Sequence, residues 1–256
     1  MIPPRAPHTP PNGFTLYRGP SLLDGSPIIV VAILHSGNAK TGDMVQTYIL
    51  RADMDPMHAS RTGADAAICG SCPMRGTPTD RPSGVAAGRG CYVTLYQGPT
   101  TVWNGFRAGR YPDAFDVAAV GAGRAVRLGT YGDPAAVPAN VWRALTSRAT
   151  THTGYSHAFN TPGADAAPDL VMQSADSFEE AAAAWAAGRR TFRVVSHISD
   201  VRTAWEVLCP ASAEAGRVAT CATCRLCSGT SRDAKSVAIV AHGSGARNVP
   251  ANASPQ

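Results

Sequence analysis

Lysine is almost missing from this chain: Lys40 and Lys235 are the only two among 23 basic residues, and arginine supplies the rest. With abundant alanine, that bias is what a GC-rich coding sequence produces without selection on function. The net charge of +5 therefore favours a compositional origin over a dedicated phosphate-binding surface, because net charge bears only weakly on partners. Nucleic acid stays permitted as a partner. No run of about 18 apolar residues exists, which excludes a membrane-spanning helix. The first residues (Met1-Ile2-Pro3-Pro4-Arg5-Ala6-Pro7-His8) lack an apolar signal core and read as a disordered Pro-rich arm over 1–20. The expected compartment is a reducing cytoplasm.

Cysteine is absent everywhere except in two groups. Cys69, Cys72 and Cys91 form the first, and Cys209, Cys221, Cys224 and Cys227 the second. In a reducing compartment such groups point to metal ligands rather than disulfides. The spacing Cys-x2-Cys-x2-Cys near the C-terminus is tighter than paired zinc knuckles and suits a ferredoxin-type loop around an iron–sulfur cube, with Cys209 before Pro210 as the fourth ligand. A structural four-cysteine zinc site is the alternative. The first group offers three thiolates, an open arrangement on a [4Fe–4S] cluster, or a zinc site that needs His58 or another residue to close it. Spacing alone leaves open which group Cys209 joins.

Residues 27–34 (Pro-Ile-Ile-Val-Val-Ala-Ile-Leu) form a β-branched run expected of a strand buried on both faces, followed by a Gly/Asn turn and a second strand over 44–50, together a hairpin. Helices are expected over 99–109, from Pro138 to Arg148, and after Ser177, where Ser-Phe-Glu-Glu matches a capping box. Strands are expected over 125–128, 151–159, 170–174, 191–195 and 237–241, and a short helix or turn over 201–208. Alternating strands and helices between 125 and 195 argue for parallel βαβ units. Functional groups then gather at the C-terminal strand ends, where Asp133, Tyr155, His157 and Asp176 fall. His152 and His157 read equally as acid/base groups or as ordinary hydrogen-bonded histidines, and Asp133 equally as a cap of the turn after it. Trp103, Trp142 and Trp185 read as core. Lys40 sits in a Gly-rich turn, Gly37-x4-Gly42, without the Lys-Ser/Thr that follows in a P-loop.

The order of a cysteine loop ending in Cys91-Tyr92, a helix, a strand ending in Gly129-Thr130-Tyr131-Gly132-Asp133-Pro134, and a strand ending in Ser174-Ala175-Asp176 resembles the first half of a radical-SAM barrel. That resemblance implies an α/β fold, a parallel (βα) barrel or partial barrel over 21–208 with a Cys-rich metal-binding extension over 209–243; the residues from 244 to 256 read as a disordered tail. It implies S-adenosylmethionine near Gly132, Asp133 and Ser174, with Asp133 standing where the superfamily has a glutamate, and an auxiliary cluster on the C-terminal cysteines. The loop departs from the superfamily's Cys-x3-Cys-x2-Cys. Gly-Asn-Ala-Lys-Thr-Gly, Cys-x2-Cys-Pro-x-Arg, Cys-Tyr-Val, Tyr-Gly-Asp-Pro, Thr-Gly-Tyr and the closing cysteine trio also resemble an uncharacterised cysteine-rich family of actinobacterial phages, which implies the cytoplasm of an infected bacterium.

The leading expectation is thus an iron–sulfur enzyme with one or two clusters, acting on nucleic acid or nucleotides through Asp133, Tyr155 and His157 and drawing on an electron donor. A zinc-stapled barrel resembling nucleobase transglycosylases, with Asp133 or Asp176 as nucleophile or base recogniser, is the second. The third is a non-enzymatic, metal-stabilised binding protein that uses Arg75 or Arg81 on phosphates.

Overall fold

The computed structural model describes residues 10–230 and 233–249. In chain order its strands and helices are β1 (Gly13–Pro20), β2 (Pro27–Ile33), β3 (Met44–Arg51), α1 (Pro56–Thr62), α2 (Ala66–Cys69), α3 (Gly98–Arg107), α4 (Val117–Gly121), β4 (Ala125–Tyr131), α5 (Ala139–Thr146), β5 (Thr151–Thr153), β6 (Tyr155–Ser156), β7 (Met172–Ala175), α6 (Phe178–Ala186), β8 (Thr191–Val195), β9 (Glu206–Leu208), α7 (Cys221–Cys224) and β10 (Ser236–Val240).

They build two five-stranded sheets, ordered β1-β2-β3-β4-β5 and β6-β7-β8-β10-β9. The first is mixed: β1, β2 and β3 pair antiparallel, while β3, β4 and β5 run parallel. The second is wholly parallel. β2 is buried along its length except at Pro27, as its unbroken apolar run requires for a strand with neighbours on both edges and cover on both faces. Its packing partners include Ile49, Leu128, Trp142 and Leu145. A smaller core under the second sheet joins Met172, Val237 and Ile239 to Cys209.

The chain passes from one sheet to the other at Gly154. β5 ends one residue before it and β6 begins one residue after. A Cβ at Gly154 would lie 2.8 Å from Val171 and 3.0 Å from Leu128, so the crossing admits no side chain there. Its N–H donates to the Cys227 carbonyl and its carbonyl accepts from Met172, both at 3.0 Å.

This architecture corrects the expected (βα) barrel and partial barrel. Parallel strand–helix alternation does occur between β4 and β8, but its strands are divided between two sheets, and an antiparallel β1–β2–β3 ribbon forms one side. Among the described residues the sheets do not close, and there are seven α-helices. Two local expectations change as well. Part of the presumed Pro-rich arm is β1, held by its pairing with β2, whereas residues 1–9 lie outside the described residues. Residues 201–208, read as helix or turn, end in β9, because pairing with β10 decides the matter. The expected tail begins inside a described segment, where Ala246–Asn248 form a 3-10 turn, and 250–256 lie outside the described residues. β10 belongs to the 209–243 segment yet is inserted between β8 and β9. Trp142 is fully buried, its indole N–H donating to the Pro134 carbonyl at 2.8 Å. Trp103 and Trp185 are partly buried and likewise satisfied.

Candidate functional site

The first cysteine group is assembled by two arginines. Asp55 caps α1 by accepting from the Met57 and His58 amides, both at 3.0 Å, and Gly63, at φ 79°, ends that helix in the left-handed region. The chain turns at once into α2, whose last residue is Cys69. Arg75 then reaches back over the loop: it donates to buried Asp65 at 2.7 and 3.0 Å and to the carbonyls of Gly63 and Gly70, both at 2.8 Å. That fork–carboxylate pairing fixes the Cys-Gly-Ser-Cys-Pro-Met-Arg turn. Met74 accepts through its carbonyl from the Cys91 amide at 3.0 Å, and Arg89 donates to the carbonyls of Cys91 and Val93. The third cysteine is thereby laid beside the first two. Arg75, expected as a nucleic-acid contact in the binding-protein reading, is instead an internal staple.

Cys69, Cys72 and Cys91 all line one cavity of about 370 Å³, together with Asp133, Tyr155, His157 and Ser174. Burial first, then the neighbouring Asp65, Cys72 and Cys91, hold the Cys69 thiol far above its ordinary range, and burial raises Cys91 against the pull of Arg89. A metal ion or cluster that took these thiols as ligands would release their protons. The Tyr131 hydroxyl is buried among Cys69, Asp65, Arg89 and Cys91 and has no hydrogen-bond partner among the described residues. The donor chemistry and this orphaned hydroxyl suit a bound group here. As placed, no three His, Cys, Asp or Glu side chains among the described residues form a group that could hold a metal ion.

Asp133 follows β4. Gly132 before it adopts φ +86°, and a Cβ there would lie 2.7 Å from Cβ of Ile49, so only glycine can bring the strand end this close to β3. The Asp133 carboxylate caps the next turn through the Ala135 amide at 2.9 Å and also accepts the His157 amide at 2.8 Å. Burial raises its pKa, opposed by Ser156 and His157. The His157 ring sits 3.2 Å, through Nε2, from Asp176 and is hydrogen-bonded to Cys72. Burial alone would lower its pKa, yet Cys72 and Asp176 together lift it well above the usual histidine value. The capping box holds Asp176 in turn: Glu180 accepts the Asp176 amide at 2.8 Å, and Ser177 accepts the Glu180 amide at 3.1 Å. Two strand-end carboxylates thus aim one imidazole at the cysteine loop.

The structure leaves two sequence candidates elsewhere. His152 is partly buried in β5, where burial lowers its pKa, and it does not line the cavity. His58 is exposed on α1 and does not line it either.

Cys209, Cys221, Cys224 and Cys227 gather near Tyr155 and Arg127, with Cys221 in the field of both. Burial pushes the Cys227 thiol strongly upward, and Cys209, Cys221 and Cys224 each add to it, so Cys209 keeps company with the C-terminal trio. The turn 37–42 has a docking role: Lys40 and Thr41 accept through their carbonyls from the amides of Cys221 and Ala222 at 3.0 and 3.1 Å. Gly42, at φ +69°, would place a Cβ 3.0 Å from the Thr220 hydroxyl. Gly42→Ala should therefore cost about 1–2 kcal/mol from left-handed strain, read as a lower urea midpoint at unchanged slope.

Arg127, which sequence reasoning passed over, and Lys40, which it considered only as a P-loop residue and set aside, also line the cavity. Arg127, in β4, donates to the Tyr155 hydroxyl at 3.0 Å and to the Tyr92 hydroxyl at 2.7 Å. Lys40 lies 3.2 Å from Nε2 of His242. An arginine in the apolar run Ala-Val-Arg-Leu, and one of only two lysines, were the available signals. No helix among the described residues is long and apolar enough to cross a membrane. Comparison of the chain with family models, curated proteins and solved structures finds no match.

Proposed function

We propose that the chain is an iron–sulfur enzyme in which Cys69, Cys72 and Cys91 hold a cluster with one open corner toward the cavity, and the other four cysteines hold an auxiliary cluster. The observation that carries this is that the Cys69–Cys72 turn and Cys91 from a later loop line the same cavity as Asp133, His157 and Asp176. The thiolates of a cube sit on different corners, so such a site asks its side chains to converge on a cavity rather than on a point. When bound, the cluster supplies electrons and an open coordination position to a substrate or to S-adenosylmethionine.

The chain's own residues do the rest. Asp133 fixes the His157 backbone, and Asp176 fixes the ring, which is then set to hold or hand over a proton beside Cys72. Tyr155 also lines the cavity. The cavity's volume of about 370 Å³ lies in the range of small-molecule sites, about 300–1,000 Å³, which favours a nucleotide-sized substrate over a folded duplex.

The test is anaerobic purification with iron, sulfide and zinc counted per chain, and reduced-state EPR with and without S-adenosylmethionine. The expected result is about four irons and matching sulfide for each cysteine group, with an EPR signal that changes when substrate or S-adenosylmethionine reaches the open corner. One or two zincs without sulfide would overturn the proposal and favour the zinc-stapled alternative.

A further inference from the structure

Arg127 is a permanent cation that is only 5% exposed, and a buried charge needs compensation. Its guanidinium has two tyrosine hydroxyls as hydrogen-bond partners and lies over the Tyr155 ring, 5.2 Å from its centre. No carboxylate among the described residues pairs with it. Of the other arginines buried to this degree, Arg193 faces Glu206 directly and Arg190 donates to backbone carbonyls.

Lys40 lines the same cavity and is likewise without an ion pair among the described residues. Burial lowers the Lys40 pKa, Cys209 opposes that, and Arg127 is close enough to lower it further. Lys40 approaches Nε2 of His242, whose Nδ1 lies 3.1 Å from the Val240 carbonyl. That arrangement suits a neutral imidazole which donates from Nδ1 and accepts from Lys40 at Nε2, leaving two ammonium protons for something else. Exposed Glu214 acts on Lys40 and His242 only through its longer-range field. Two like charges held together in one cavity, each on uncharged partners, repel each other unless an anion lies between them.

We infer that Arg127 and Lys40 form a phosphate-binding part of the cavity, and that the substrate is a small phosphorylated molecule held there by its phosphate. A guanidinium fork and an ammonium are the two side chains that suit phosphate oxygens. Tyr92 and Tyr155 orient the fork. This rests on the cavity being the substrate's place, as in the proposed function, but not on which metal the cysteines carry.

The rival account is that both cations only offset thiolate charge at the C-terminal cysteines, since Cys221 lies in the field of each. Calorimetric titration of the purified full chain with pyrophosphate, with malonate as the carboxylate counterpart, separates the two, provided iron, zinc and sulfide are counted in every sample. The expected result is saturable pyrophosphate binding, millimolar or tighter, which weakens with added salt and exceeds malonate binding. Lys40→Met and Arg127→Met should each lose about tenfold or more, one missing charge-assisted contact being worth that factor, with metal content kept. Tyr92→Phe, at a partly exposed position that does not endanger folding, should lose a smaller factor. Absence of saturable binding to the unsubstituted chain would overturn the inference. So would variants that lose metal while binding pyrophosphate as before. Equal binding of malonate would replace phosphate by a carboxylate as the group recognised. A zinc-loaded or metal-poor protein that still binds pyrophosphate would sink the cluster reading and leave this inference standing.

Discussion

Glu206→Gln should lower the stability of the chain by about 3–5 kcal/mol, the cost of leaving one partner of a buried ion pair alone. Arg193 in β8 and Glu206 at the start of β9 flank β10, so their side chains bridge across the central strand of that end of the second sheet. Both side chains are essentially inaccessible, at 1% and 0%. The fork is bidentate, Nε to Oε1 at 2.9 Å and Nη2 to Oε2 at 2.6 Å. The pair also organises backbone: Arg193 donates to the Asp200 carbonyl at 2.7 Å, and Glu206 accepts the Arg202 amide at 2.9 Å. Glutamine keeps the shape and removes the charge, which leaves a guanidinium buried without its counter-ion. Urea unfolding of the substituted chain measures the loss, and the exposed pair Arg18–Asp113, with side chains 49% and 70% accessible, is the control. Asp113→Asn should cost under about 1 kcal/mol. The double replacement Arg193→Met with Glu206→Leu should recover much of the loss, because a matched apolar pair has no charge to strand. A loss below about 1 kcal/mol for Glu206→Gln would show that water reaches the pair and that the sheet end is open.

The same pair shows what a sequence hides. Nothing in Val201 to Leu208 marks Glu206 as buried, and the segment's apolar spacing suits a helix as well as a strand. Its fate is decided by Ser236 to Ala238, some thirty residues further on. β2 and β3 were legible because each carries its own signal, a β-branched run or an alternating one. α6 was legible because Ser177 and Glu180 cap it locally. The barrel expectation failed at a non-local step: periodicity reads strand and helix, but it does not read which sheet a strand joins, and Gly154 hands the chain from one to the other. β1 was lost beside a proline-rich stretch because only its seven pairings with β2 distinguish it from an arm. In the site, cysteine spacing and strand-end placement brought Cys69, Cys72, Cys91, Asp133, Tyr155 and His157 to attention, and the structure draws them to one cavity. The partners of Arg127 at Tyr92 and Tyr155 lie 35 and 28 positions away, beyond any local pattern.

Cys72→Ala and Cys224→Ala should separate the two cysteine groups. Cys72 stands at the entrance of a 3-10 turn and makes no capping hydrogen bond through its side chain, while the loop around it is held by Arg75 and Arg89. Its loss should leave the far-UV spectrum and melting behaviour near those of the parent, remove about four irons with their sulfide, and abolish turnover. Cys224 belongs to the loop that ties the 37–42 turn of the first sheet's side to Gly154 at the crossing. Losing its metal should destabilise the whole chain, because a structural site contributes its binding energy to folding. Cys209→Ala should copy Cys224→Ala in metal content and not Cys72→Ala, as its electrostatic neighbours Cys221 and Cys224 require. Metal analysis beside thermal melts reads all three variants. If Cys72→Ala unfolds the protein while Cys224→Ala leaves metal and stability unchanged, the assignment of an open catalytic group and a closed structural one is reversed. If neither changes metal content, the cysteines hold none, and the aligned Cys72, His157 and Asp176 would have to act as thiol, base and orienting carboxylate in their own right.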